Sequence, residues 1–154
     1  MSDDIRKRLW KELDKSPFLM MRLEGASDHA IPMTAQLDPD NQGYLYLFHN
    51  RDGRLSQGGK AIGQFLAKGH DLFASIAGTL SDASDPALID QYWSHVMEAW
   101  YEGGKSDPNL SLLRFDLIDA EIWTADASIK GLFKMFTGQT LDPDELGEHG
   151  RISL

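Results

Sequence analysis

The chain has 154 residues, 42% hydrophobic and 25% charged, a composition expected of one globular domain. Its 24 Asp and Glu against 15 Lys and Arg give a formal charge of -9. That balance argues against nucleic acid and anionic membrane surfaces as partners, because both need clustered cations.

The absence of cysteine removes disulfides, thiolate nucleophiles and zinc–thiolate sites. The first ten residues carry charges with no apolar core behind them, so they do not read as a secretion signal. No apolar run approaches the roughly 18 residues that span a bilayer. A soluble, cytoplasmic protein is the expectation.

Ser2 offers an N-cap, with Asp3 and Asp4 in the first turn facing the positive end of the helix dipole. Ile5, Leu9 and Leu13 recur at one-turn spacing with Trp10 beside them, and Ser16-Pro17 stops the helix. Residues 18–23 then read as a buried strand closed by the Glu24-Gly25-Ala26-Ser27-Asp28 turn. Ile31, Met33, Ala35 and Leu37 fall on one face of an extended segment, and Pro32 makes it an edge or a bulge.

Turn residues 38–43 lead into the aromatic strand 44–49, which ends in Asn50-Arg51-Asp52-Gly53-Arg54. Residues 62–67 and 72–80 flank Lys68-Gly69-His70-Asp71 as a hairpin. Asp85-Pro86 starts a helix that Gly103-Gly104 stops, with Leu88, Tyr92, Val96 and Trp100 as one seam. Residues 110–117 and 120–124 form two strand-like runs split at Ile118-Asp119, and residues 128–136 a last short helix. The acidic segment 141–154 reads as a loosely packed tail. Six or seven hairpin-connected strands point to an antiparallel barrel with peripheral helices.

Neither Gly58-Gly59 nor Gly103-Gly104 belongs to a phosphate loop or a dinucleotide fingerprint. The five histidines lack metal-ligand pairing, and the carboxylates of residues 142–148 have nothing nearby to exclude water. No metal site is expected. Trp93, Trp100 and Tyr101 have the spacing of a helix core, though such rings also stack on planar ligands. The stronger signal is Ile31-Pro32-Met33-Thr34 followed by the basic turn after His49. Arg can hold a phosphate bidentately, and backbone N–H groups of a Gly turn can add to the grip. An ordinary basic hairpin end is the alternative.

Several motifs together resemble the general stress protein branch (the general stress protein 26 type) of the pyridoxamine 5'-phosphate oxidase-like, FMN-binding split-barrel superfamily. They are Pro32-Met33, the Leu45 to Asp52 strand and turn, Ser75-Ile76-Ala77-Gly78-Thr79, Trp93 with Ala99-Trp100-Tyr101-Glu102-Gly103-Gly104-Lys105-Ser106-Asp107-Pro108, and Ala120-Glu121-Ile122-Trp123-Thr124.

The resemblance implies a mainly β (α+β), six-stranded antiparallel Greek-key split β-barrel over residues 1–138, followed by an acidic tail over 139–154. It implies a homodimer with FMN in clefts at the subunit interface. It places Met33 and Thr34 along the flavin ring, His49, Asn50, Arg51 and Arg54 at ring edge and phosphate, and Trp123 near the cofactor or the dimer seam. Lys60 backs the phosphate arginines.

Ile31, Gly53 and Leu55 stand where family members often have Arg, Ser and Lys. No general acid or base is evident beyond His49, so the catalytic residues are unknown. An FMN-binding split-barrel dimer of the general stress protein type is the first expectation, with flavin-dependent oxidoreductase activity left open, and a non-enzymatic dimeric binding or sensor module that has lost tight flavin binding is the alternative. An oxidase of a pyridoxine-like phosphate is disfavoured, because the substrate-binding arginine set of that group is not apparent.

Overall fold

The computed structural model describes residues 2–125 and 149–154. Helix α1 runs Ser2–Lys15 with Asp3 and Asp4 in its first turn, so Ser2, expected as the cap, already lies in the helix. Its apolar stripe buries Leu9, Trp10 and Leu13 in the main core, and each such side chain stabilises by about 1.5–3 kcal/mol. Among the described residues no helix is long and apolar enough to cross a membrane.

Strand β1 (Phe18–Leu23) alternates strictly, with Leu19, Met21 and Leu23 buried and the residues between them exposed. It pairs antiparallel with β2 (Ile31–Thr34), where Pro32 sits opposite Met20. A residue without an N–H is tolerated there because β2 ends the sheet path. The short β3 (Gln36–Asp38) and long β4 (Asn41–Asn50) follow, then the expected hairpin of β5 (Gly59–Leu66) and β6 (Leu72–Asp82). Its turn needs a positive φ at His70, a conformation rare outside glycine.

Residues 110–124, expected as two strands, form the single strand β7 (Leu110–Thr124). The expected break is instead a bulge. Ala77 pairs with Asp119 and Gly78 with Leu117, so Ile118 has no partner on β6. One extra residue bends a strand without ending it.

The strand order is β2-β1-β5-β6-β7-β4-β3, antiparallel throughout, with β8 (His149–Ser153) added to β7. The two ends of this path, β2 and β3, are joined by the single residue Ala35, whose N–H bonds the Pro17 carbonyl. A sheet whose first and last strands are covalent neighbours must curl round on itself. The result is a β-rich split barrel with eight strands among the described residues. The excess over six comes from β3, cut from β2 at Ala35, and from β8. The carboxyl-terminal residues expected in a loose tail thus form a strand, while the helix expected over 128–136 lies outside the described residues.

The helix expected between Asp85 and Gly103 is broken. Asp85 caps α2 (Pro86–Tyr92) through the Ala87 N–H, but Trp93 turns extended and α3 (His95–Glu98) is separate. Trp93 packs edge-on against Phe48 at 5.9 Å and lies 6.5 Å from Tyr101, and this packing overrides local helical preference. Val96 and Trp100, expected in the seam, are 71% and 77% exposed. Two cores result. One fills the barrel around Met21, Leu45, Leu47, Phe65, Ile76 and Phe115, and the other lies outside β4 and β7 under α2, around Tyr46, Phe48, Ile89, Leu110 and Leu112.

Candidate functional site

Alternation along β4 decides the orientation of its last residues. Leu45, Leu47 and His49 face the barrel interior, whereas Tyr46 and Phe48 face α2 and Asn50 is exposed. The chain then enters a turn that holds itself together. The Gly53 N–H bonds the Asn50 carbonyl at 2.9 Å, the Ser56 N–H and hydroxyl bond the Gly53 carbonyl at 3.1 and 2.7 Å, and the Gly58 N–H bonds the Leu55 carbonyl at 3.0 Å. Arg51 donates its backbone N–H to Asn109 at 2.9 Å, tying the turn to the start of β7.

His49 pins this turn from inside. Its Nε2 accepts the Leu55 N–H at 3.1 Å, and its own carbonyl accepts the Ser111 hydroxyl at 2.8 Å. Gly53 lies directly against the ring, so that a Cβ there would overlap Nε2. Burial pushes the imidazole pKa below its ordinary value, against the Gly53 backbone and Asp52, which favour the protonated form. The resemblance places His49 near a ring edge; the structure buries it to 7% exposure and commits its Nε2 lone pair to the Leu55 N–H.

Arg51 and Arg54 are exposed on the turn, and the Arg54 Nη1 reaches across to the His29 carbonyl at 3.0 Å. That bond joins the turn to the loop that feeds β2. Lys60, exposed at the start of β5, sits opposite Thr79. Asn50, Arg51, Arg54 and Lys60 thus gather at one end of the barrel. The amides of Gly53, Leu55, Ser56 and Gly58 are spent within the turn, and the Arg51 and Arg54 guanidinium groups are its exposed cationic donors.

Met33 and Thr34 do not share a face. Met33 is buried in the barrel core, and Thr34 is exposed opposite Phe18. Trp123 is far from the turn along the strands. It pairs with Phe73, which pairs with Leu66, six residues beyond Lys60 on β5 or about 20 Å at the ordinary strand rise. Within one chain, therefore, the cationic turn and Trp123 mark opposite ends of the outer face. Ile31 packs against the core and Leu55 is 1% exposed, so neither position presents a side chain to a phosphate.

Motif reading missed the outer apolar row. Phe18 and Leu66 are 59% and 57% exposed, and Leu66, Phe73 and Trp123 are consecutive cross-strand partners. The signal was present in Phe18-Leu19-Met20-Met21, apolar at both parities where a one-sided strand alternates. Among the described residues no group of three His, Asp or Glu side chains is arranged to hold a metal. A cleft of about 300 Å³ between α1 and the β3–β4 hairpin, lined by Lys7, Trp10, Lys11 and Asp38, contains none of these site residues.

The barrel and turn define a class, and comparison with known proteins names it. The chain matches the model of the pyridoxamine 5'-phosphate oxidase-like family over residues 4–142 and belongs to that family. The crystal structure of a general stress family protein from Xanthomonas campestris pv. campestris is 43% identical, with a TM-score of 0.76 over 84% of this chain and 92% of that one. The general stress FMN/FAD binding protein of Xanthomonas citri is 45% identical, with a TM-score of 0.75 over 82% and 93%. A general stress protein 26 from Jannaschia sp. CCS1 is 26% identical, with a TM-score of 0.80 over all of both chains. No curated protein matches the chain.

Proposed function

We propose that this protein is a homodimeric FMN-binding split barrel of the general stress type. The observation that carries the reading is the cationic turn. In a chain of charge -9, Arg51 and Arg54 stand exposed on a turn fixed by His49, with Lys60 beside them. Guanidinium suits a phosphate because it donates two parallel hydrogen bonds. The 45% identity to a general stress FMN/FAD binding protein supports flavin as the bearer of that phosphate.

The outer row of Phe18, Leu66, Phe73 and Trp123 supports a second copy against this face, since exposed aromatic and apolar clusters mark interfaces. Thr34, at the Phe18 end of that row, borders the same seam. In this reading Arg51, Arg54 and Lys60 bind the phosphate, Asn50 lines the approach, and Thr34 and Trp123 belong to the dimer seam. Met33 shapes β2 from inside. Bound FMN supplies the redox chemistry of its ring. The residues named above bind and orient it, and the redox step belongs to the flavin.

Ile31 and Leu55 favour a second reading, a non-enzymatic dimeric module without tight flavin binding. Leu55 is built into the core and Ile31 packs against it, where family members often offer cations, and each lost charge-assisted bond removes about 1.5–3 kcal/mol. Titration of the purified protein with FMN, followed by visible absorbance and by melting temperature, decides between them. Saturable spectral change supports flavin binding, and neither change nor stabilisation leaves the second reading standing.

A further inference from the structure

A turn that presents cations needs a fixed shape. Here the fixing group is an imidazole whose Nε2 accepts the Leu55 N–H in a buried setting. Only neutral histidine with its proton on Nδ1 has that lone pair. Once Nε2 is protonated, two donors face each other across 3.1 Å. The ring N–H must then turn to the Gly53 carbonyl, which already accepts the Ser56 amide and hydroxyl.

Gly53 is in contact with the ring and leaves it no slack, so the turn itself must shift. Leu55 is buried in the barrel core, and it moves with that shift. The charged group acting on the ring is Asp52, on the turn; from β7 the neighbour is the neutral Ser111.

We infer that His49 is a positioning residue, which presents Arg51 and Arg54 to a phosphate monoester while its imidazole is neutral and withdraws that presentation when it is protonated. The ligand half of this inference rests on the flavin reading above, and the conformational half stands apart from it. Acid would then loosen the grip from inside the barrel, with no contact between His49 and the ligand.

The test uses the full chain, labelled with 15N, and the variant His49→Gln, whose side-chain oxygen accepts the Leu55 N–H without titrating. Between about pH 7.5 and about pH 5, across the ordinary histidine range, Leu55 amide exchange corrected for its intrinsic rate is expected to rise at least about tenfold in the natural chain and stay flat in the variant. Equal behaviour of the two proteins overturns the inference.

In parallel, FMN and inorganic phosphate affinities are measured for both proteins over the same range. Their ratio cancels the ligand's own second ionisation near about pH 6. A ratio that falls with pH supports the positioning role, and a constant ratio overturns it even if Leu55 responds. If FMN binds neither protein, the flavin reading falls. Inorganic phosphate then decides: affinity that tracks the Leu55 amide upholds the inference, and absence of binding overturns it.

Discussion

Trp123 on β7 and His149 on β8 stack face to face, with ring centroids 4.8 Å apart and planes within 7°. The His149 Nε2 also meets the Glu121 Oε1 at 2.7 Å, and Arg151 pairs with Asp119 two residues along. These contacts dock the last strand against β7. Ring pairs of this kind contribute about 0.5–1.5 kcal/mol beyond area burial. A double-mutant cycle of Trp123→Ala and His149→Ala in urea unfolding is expected to show coupling in that range, and coupling near zero would contradict the docking role.

Gly53 and Gly150 make a matched pair of tests. A methyl at Gly53 overlaps His49 Nε2, whereas nothing lies within 4 Å of a methyl at Gly150. Gly53→Ala is expected to cost about 1–3 kcal/mol, in the range of overpacked sites. Gly150→Ala is expected to stay within about 0.5 kcal/mol, as surface changes do. Denaturant midpoints measure both.

The buried His49 makes stability depend on pH with a definite sign. Its folded pKa is depressed by burial, so below the ordinary value of 6.5 the unfolded chain binds the extra proton. The contribution is complete above pH 6.5 and is lost as pH falls from there through the folded value. Melting temperatures of the natural chain and His49→Gln are therefore expected to converge as acid is added, the natural chain losing more. Asp107, whose pKa is lowered by the Asn109 and Gly103 N–H bonds, acts only below its ordinary 3.8 and stays out of this window.

The outer row predicts an interface. Leu66 is exposed in the single chain and central to the row, so Leu66→Lys is expected to leave monomer stability within about 0.5 kcal/mol and abolish the dimer. Sedimentation at micromolar concentration reads the outcome. A natural chain that sediments as a monomer would count against the interface.

Much of the barrel was legible because its strands carry local signals. Pro32 marked an edge, Lys68-Gly69-His70-Asp71 marked a hairpin, and even the mistaken split at Ile118 fell on a true irregularity, the bulge. Features set by distant contacts were not legible. The pattern from Leu88 to Trp100 fits a continuous helix, and the packing of Trp93 against Phe48 on β4 and Tyr101 is what takes it out of that helix. Likewise the residue types of the cationic turn were readable, but not that His49 is spent on Leu55, nor that β8 returns to β7 across 28 residues of sequence.

The central claim is that the turn carrying Arg51 and Arg54 holds a flavin phosphate, and the most direct measurement is an FMN titration of the natural chain beside Arg54→Ala. Arg54 is exposed, and its guanidinium donates to the His29 carbonyl at the surface, so its removal leaves the fold intact. The natural chain is expected to perturb the flavin spectrum and saturate near about one FMN per chain, with Arg54→Ala weaker by about tenfold or more, the worth of one charge-assisted hydrogen bond. An unperturbed spectrum, or equal affinity in the two proteins, would contradict it.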